Sequence, residues 1–470
     1  MSASLSPLYA ENLVRFDSLL GVGRSFDAVK KPFSVCGVSF TLYAIDGLFK
    51  SELTERLLEH FLSLPLPALP RSADAFLREA VPLGEGKVLS DEGAALAEVL
   101  AGSAALFCES FGAAAIVLNV RAGTGRQTEE PENDKVLQGA HDGFVETLLS
   151  NTALVRRRIR SEKLTLSLHT VGVSSKTDVC VAYYAGRADE DYVRRVEKTL
   201  DEIKTDALPL GQQSLAECLL RHNWYNPLPK VRYTERPDKA AAQLLEGNVL
   251  LFCDTSPTAM ILPTSIFEFM QETNDYTLPP VTGCYLRLVR HAAFLLTVFF
   301  TPLWLILISS PQLLPDWLSF ILPEKKAQLP VAAQLLLVEF MIDALKLASL
   351  NTPSPLSGSL SAIAGLILGD FAVEVGWLIP EVVLYMAFVA VVSFAQPGVE
   401  LGFAFKFLRV LLLILSALFG FPGFFAGCGV IVFLLLTNKT VAGRGFYLYP
   451  LLPFDKKALA RLLFRTKKDD

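Results

Sequence analysis

Polar and apolar positions divide this chain into two regimes. Over roughly the first 285 residues, short stretches alternating with a period of two are followed by stretches with helical spacing. FSVCGVSFTLYAIDGLFKSELTERLLEHFLSL alternates through Tyr43, turns at Asp46-Gly47 and continues as an amphipathic helix. About 141 residues later TDVCVAYYAGRADEDYVRRVEKTLDEI repeats the plan, with Tyr183-Tyr184, a Gly186 turn and a helix from Glu190. The two stretches also end alike. LAEVLAGSAALFCESFGAAAIVLNV around Gly102 and Cys108, and AAQLLEGNVLLFCDTSPTAMILPT around Gly247 and Cys253, each read helix, glycine, strand, acidic turn, strand. This periodicity predicts an α+β soluble N-terminal region of two tandem, similar α/β subdomains, residues 30–125 and 164–285, behind a segment of residues 1–29.

Residues 126–163 form the connection. RAGTGRQTEEPEND is polar and rich in turn formers. HDGFVETLLSNTALVRRRIRSEKL then predicts a helix from about Gly143, capped by Asp142, with Phe144, Leu148, Val155 and Ile159 as its apolar face. Arg156-Arg157-Arg158 and Arg160 make this stretch basic. Two readings stand: a site for phosphate or anionic lipid, or a solvated helix face with one arginine paired to a carboxylate.

Beyond residue 285 charge becomes sparse. Between His291 and Lys325 only Asp316 and Glu324 are charged, and between Leu401 and Thr437 only Lys406 and Arg409. Such runs approach the ~20 apolar residues that span a bilayer. They predict an all-α polytopic transmembrane domain over residues 286–437, its about four to six spans drawn from 291–309, 331–350, 357–378, 380–395, 401–419 and 421–437. Arg287 and Arg290 flank the first span, and Lys456, Lys457, Arg461, Arg465, Lys467 and Lys468 lie in a basic tail of residues 438–470. The positive-inside rule then expects the N-terminal region and the tail on the cytoplasmic side. The opening MSASLSPLYAENLVRFD lacks the charged-then-apolar pattern of a cleaved leader, which agrees with that orientation. Whether 331–350 crosses or lies at the interface stays open, since its charged face suits both.

Candidate chemistry lies in this second regime. VAAQLLLVEFMIDALKLASL places Glu339, Asp343 and Lys346 on one helix face. After the break NTPSPLSGS, the stretch LSAIAGLILGDFAVEVGW places Ser361, Gly365 and Gly369 on one side and Ser359, Ile363, Ile367, Asp370 and Glu374 on the other. Small residues let helices approach closely in lipid, so the first stripe reads as a packing seam. An ionised carboxylate facing acyl chains costs several kcal/mol, so the acidic stripe must face protein or water. Asp370, Glu374, Glu339 and Asp343 are therefore candidates for an ion path, and Ile363 and Ile367 for an apolar gate closing by dewetting. The alternative is that the acids pair with Lys346, Lys406 or Arg409 and act as packing glue.

Composition narrows the classes further. Over 470 residues, 51% hydrophobic and 19% charged is rich for a soluble protein. A formal net charge of -5 argues against nucleic acid as a partner. Seven cysteines, widely spaced and without CxxC, fit reduced thiols in a cytosolic compartment. There is no Walker loop, GxSxG, HExxH or GxGxxG, and the five histidines (His60, His141, His169, His222, His291) are scattered. No catalytic residue, metal ligand or cofactor is expected, and Asp254-Thr255-Ser256-Pro257 reads as an ordinary acidic turn.

Several long strings point further. HDGFVETLLSNTALVRRRI, TERPDKAAAQLLEGNVLLFCDTSP, ASLNTPSPLSGSLSAIAGLILGDFAVEVGW and PEVVLYMAFVAVVSFAQPGVELGFAFKFLR resemble the GerA family of spore germination proteins, of the A-subunit type. The resemblance runs from about residue 30 to the end. Thr234, Glu235, Arg236, Pro237 and Asp238 match its TERPD string, and Asn151 with Arg156, Arg157 and Arg158 match its N-x-x-L-x-R-x-R run. Two departures stand out: Gln138-Gly139-Ala140 where the family usually reads Arg-Gly-Pro, and Cys253-Asp254-Thr255-Ser256-Pro257 where it often reads Val-Asp-Gly-Ser-Pro. They fit a branch of the family that is not expected to sense nutrients directly.

The resemblance implies the spore inner membrane, a role in germination, and assembly as a ring homo-oligomer, a pentamer, forming a monovalent-cation channel. For this branch it also implies a small membrane partner protein and action after germinant receptors fire, amplifying ion release. The competing reading is a membrane-anchored scaffold that recruits germination proteins without conducting; intramembrane acids argue against a plain anchor. A secondary transporter would carry inverted repeats among its spans, whereas the repeat here lies in the soluble part.

Overall fold

A computed structural model of the chain describes residues 4–65, 72–82, 85–122, 139–220, 225–272, 278–323, 328–351, 371–396, 398–438, 440–443 and 447–463. They group into two compact units. The first comprises Met1–His222, Val231–Thr264 and Val441–Arg444, and the second Asn223–Lys230, Ser265–Thr440 and Gly445–Asp470.

The first unit holds two antiparallel five-stranded sheets of one topology. In chain order the first copy runs α1 (Tyr9–Leu20), β1 (Ala28–Val35), β2 (Val38–Ile45), α2 (Ser51–Leu62), α3 (Ala73–Glu79), β3 (Gly86–Leu89), α4 (Glu92–Leu100), β4 (Ala104–Cys108) and β5 (Ala115–Leu118). The second runs α5 (Leu148–Arg158), β6 (Leu164–Val171), β7 (Thr177–Tyr184), α6 (Glu190–Asp201), α7 (Gln212–Leu219), β8 (Arg232–Thr234), α8 (Pro237–Glu246), β9 (Val249–Cys253) and β10 (Ala259–Leu262). The strand orders are β1-β2-β4-β5-β3 and β6-β7-β9-β10-β8.

Burial explains why the central strands read as unbroken apolar runs. One face of the first sheet (Phe40, Leu42, Leu106, Ile116) packs on α2 and α3, and the other (Tyr43, Ala105, Phe107, Val117) on α1 and α4. In the second sheet Val179, Val181, Leu251 and Met260 face α6 and α7, while Cys180, Leu250, Phe252 and Ile261 face α5 and α8. With helices on both faces, AALFC and VLLFC are buried along their whole length, so alternation is lost there. Each copy is thus a helix–sheet–helix layer. The helix that the sequence assigns to the connection, α5, occupies the place in the second copy that α1 occupies in the first.

The repeat extends to single atoms. The turn glycines Gly47 and Gly186 have φ of 79° and 81°, and the glycines ending α4 and α8, Gly102 and Gly247, have φ of 101° and 99°. A Cβ on Gly102 would lie 2.9 Å from the Leu48 carbonyl oxygen, and one on Gly247 would lie 2.7 Å from that of Arg187. In both copies, then, the helix-ending glycine seats the helix on the residue after the turn glycine, a fit only glycine allows.

The second unit is built from apolar helices: Pro280–Ser309, Val331–Asn351, Pro380–Phe394 and Val399–Thr437, with a single helical turn at Ala372–Glu374. The first of them starts ahead of the 285/286 boundary expected from the sequence. Pro280–Ser309 and Val399–Thr437 are long and apolar enough to cross a membrane. The latter is not one rod. Gly420 (φ 63°, ψ -136°), two residues before Pro422, breaks it. A Cβ on Gly427 would lie 3.7 Å from Leu412 Cα, whereas fifteen residues of continuous helix would separate these positions by about 22 Å. The two halves therefore fold back as an antiparallel hairpin, matching the predicted stretches 401–419 and 421–437. Ile363, Ile367 and Asp370 lie outside the described residues.

Candidate functional site

In the first unit the signature residues converge on one place, the segment entering α5. Asn151 is fully buried; its Oδ1 accepts from the Val145 amide at 2.8 Å and its Nδ2 donates to the Val145 carbonyl oxygen at 2.5 Å. Asp254, in the acidic turn after β9, accepts at 3.0 Å from the Leu148 amide, an orphan donor of the first helical turn. The predicted helix start at Gly143 and the Asp142 cap are thereby corrected. The helix begins at Leu148, because a carboxylate far away in sequence supplies the acceptor, and Asp142 instead takes both oxygens to Arg158 at 2.6 Å. Arg236 grips Asp238 with Nε and Nη2 at 3.0 and 2.6 Å and donates to the Ala140 carbonyl oxygen at 3.1 Å. Thr234 Oγ1 accepts from the Arg236 amide at 3.2 Å, the Glu235 carbonyl oxygen accepts from Phe144 at 2.8 Å, and Pro237 opens α8.

Of the two readings of the basic run, the structure agrees with the second except at one residue: Arg157 and Arg160 are exposed and Arg158 pairs with Asp142, but the arginine that takes a second carboxylate, Arg156, lies in the core and not on a solvated face. It is 2% exposed and forks onto Asp27 with Nε and Nη2 at 2.8 and 3.0 Å. It also donates to Ser25 Oγ (3.1 Å) and to the carbonyl oxygens of Leu164 (2.9 Å) and Ser161 (3.2 Å). Phe26 and Leu166 add a backbone hydrogen bond of 3.0 Å. Residues leading into β1 of the first copy are thus bound to α5 and β6 of the second. Asp27, one of the chain's buried acids, carried no signal in the sequence: it is a lone acid ahead of a strand, and its partner Arg156 lies 129 residues away.

The thiols flanking the acidic turns are core groups. Burial pushes Cys253 up to about 12, with Asp254 adding to the effect, and burial likewise raises Cys108. Neither supplies a thiolate nucleophile.

In the second unit the charged face of Val331–Asn351 meets the first half of the hairpin. Arg409 Nη2 donates to Glu339 Oε1 at 2.6 Å and its Nη1 to the Thr297 carbonyl oxygen at 2.9 Å. Lys406 reaches Glu339 at 3.9 Å and pairs with Asp343. Glu339 and Arg409 are 5% and 4% exposed. Gln396 joins the cluster by donating to Thr297 Oγ1 at 3.1 Å. Each acid thus has a base for a partner, as burial among apolar side chains demands, and Lys346 lies half-buried on the same helix face. Glu374 is exposed. Arg287 and Arg290 are buried along Pro280–Ser309, and Arg290 binds Glu272 at 2.7 Å.

Two similar α/β modules, clamped by buried arginines, followed by apolar helices with compensated charges buried among them, define the class. Residues 16–469 match the Bacillus/Clostridium GerA spore germination protein model, and the chain belongs to that family, whose role is in germination. It is 36% identical over 466 residues to stage V sporulation protein AF of Bacillus subtilis (strain 168), covering 98% of this chain and 92% of that protein. It is 29% identical over 470 residues to the uncharacterized membrane protein YfkQ of the same strain, covering 98% and 90%. The crystal structure of the N-terminal domain of the A subunit of the Bacillus megaterium spore germinant receptor GerK3 superposes with a TM-score of 0.43 at 23% identity, over 56% of this chain and 97% of that one.

Proposed function

We propose that this chain is a membrane subunit of an oligomeric monovalent-cation channel that promotes spore germination by amplifying ion release after germinant receptors fire. The observation carrying this reading is the charged cluster among the apolar helices, the buried pair Glu339–Arg409 with the half-buried pair Asp343–Lys406 beside it. A plain anchor needs no charge among its helices, whereas a helix assembly that holds a polar path needs fixed partners. In this reading Glu339 and Asp343 are neutralised within the chain and hold helices. Asp370 and Glu374, repeated around a ring, concentrate cations, and Ile363 and Ile367 form the apolar constriction. The protein sits in the spore inner membrane with its N-terminal modules and tail on the cytoplasmic side, as a homo-oligomer alongside a small membrane partner. The pentamer rests on the family resemblance alone.

The test is potassium efflux from liposomes carrying the purified full chain with its membrane partner. Asp370→Asn/Glu374→Gln should reduce efflux, and Ile363→Ala should make it leaky. One observation favours a second reading, a scaffold recruiting other germination proteins: the acids of Val331–Asn351 have no surplus negative charge to offer an ion. No efflux under any condition, with other germination proteins still captured by the full chain, would establish the scaffold instead.

A further inference from the structure

The basic, aromatic segment after the hairpin is the part of the second unit that the channel reading leaves unused. Tyr447 is buried and its carbonyl oxygen accepts from the Ile266 amide at 2.9 Å, so the segment starts from a fixed point. It then turns outward. Tyr449, Leu451, Leu452 and Phe454 follow one another in exposed positions, Phe454 at 70%. Asp455 caps the next helix, Lys456–Leu463, accepting from the amides of Lys457 and Ala458 at 2.9 and 3.1 Å. That helix opens with two exposed lysines, Lys456 and Lys457, and the sequence continues basic with Arg461, Arg465, Lys467 and Lys468.

Its far end is seated as well. Leu462 is buried, and its carbonyl oxygen accepts from Arg287 Nη1 at 3.4 Å. Arg287 lies in the first third of Pro280–Ser309, where Tyr285 and Leu288 on the same helix are exposed. The segment is therefore held at the level where the first apolar helix begins. Aromatic and aliphatic side chains exposed together with lysines, at the end of an apolar helix, match the composition of a bilayer interface. An exposed apolar turn in water alone would have no such reason to stand beside cations.

We propose that residues 447–463 form an interfacial foot that lies on an anionic lipid surface, with Leu451, Leu452 and Phe454 entering the headgroup boundary and Lys456 and Lys457 binding lipid phosphates. This rests on the membrane placement above but not on conductance.

Amide hydrogen exchange on the full chain in nanodiscs tests it. Segment 447–463 should exchange more slowly in discs containing phosphatidylglycerol than in discs of phosphatidylcholine alone, and high salt should remove the difference. Lys456→Gln and Lys457→Gln should each weaken the association about fivefold in the anionic discs. Leu452→Ser/Phe454→Ser should lose protection in both lipids. Equal exchange in the two lipids with no effect of the lysine variants overturns the foot. So does protection that rises with the number of chains per disc, which would mean a second copy covers the patch. Inorganic phosphate protecting the segment in phosphatidylcholine discs would reassign it as an anion site and overturn the lipid surface too. A chain that stays in water without discs would overturn the membrane placement itself, a separate failure.

Discussion

Arg156 shows how one side chain fixes the relation of two modules. A guanidinium offers five donors in a rigid fork, and here they are spent on Asp27, Ser25 and two carbonyl oxygens. Lysine has neither the fork nor the reach to satisfy that set. Removing one partner of a buried pair leaves the other charge uncompensated, at a cost of about 3–5 kcal/mol. Arg156→Leu should therefore unfold or separate the junction, with amide exchange of β1 and β6 rising together in the full chain. Arg156→Lys should fall between the two, and wild-type protection in Arg156→Leu would refute the clamp.

His169 on β6 makes a weaker, proton-dependent contact. Its Nδ1 meets Asp201 at 2.9 Å and its Nε2 lies 3.8 Å from Glu197, both on α6, with Ser167 beside it. Glu197, then Asp201, raises the histidine above its ordinary value, and the histidine in turn lowers Glu197. A raised histidine stabilises fully below its unfolded value and loses that contribution as pH rises through the folded one. A lowered carboxylate stabilises above its unfolded value and loses it as pH falls through the folded one. The α6–β6 contact should thus be firmest between about pH 4.5 and 6.5 and loosen on the alkaline side. Exchange of α6 measured across neutral pH should show it, and His169→Gln should flatten the profile.

At the scale of elements, the paired glycines carry the prediction. Gly102 and Gly247 combine a left-handed φ with a carbonyl oxygen where a side chain would sit. Gly37, in the β1–β2 turn at φ 85°, has nothing within 4 Å. Gly247→Ala should cost about 1–3 kcal/mol through strain and displacement, and Gly37→Ala less, the backbone strain alone. Comparable losses at the two positions in urea unfolding would show that the close approach contributes nothing. These glycines also mark what was legible in the sequence: the order helix, glycine, strand, acidic turn, strand was readable twice because each piece has a local cause. The edge strands β3 and β8 were not, being four and three residues long without alternation. The sequence alone reads helix α5 as part of the connection because its apolar face is interrupted by arginines whose partners, Asp27 and Asp142, are set by the fold and not by spacing. The hairpin break at Gly420 was readable, since glycine and proline together interrupt an otherwise uniform apolar run.

At the scale of the whole molecule the question is what charge among apolar helices is for. The sequence left two roles open for the acids, and the structure joins Glu339 and Asp343 to Arg409 and Lys406. A pair this buried and mutually neutral contributes little net stability over apolar residues of similar volume, yet breaking it from one side is costly. Glu339→Leu alone and Arg409→Leu alone should each impair assembly of the full chain in detergent, read as early melting or aggregation. The double variant Glu339→Leu/Arg409→Leu should recover much of that loss. If the pair only holds helices, the recovered double variant conducts like its parent in the potassium efflux assay, while Asp370→Asn/Glu374→Gln does not. If the pair lines the path, the double variant folds and is silent. We expect the first result, because an acid already bound to an arginine at 2.6 Å has no lone charge left to draw a cation through.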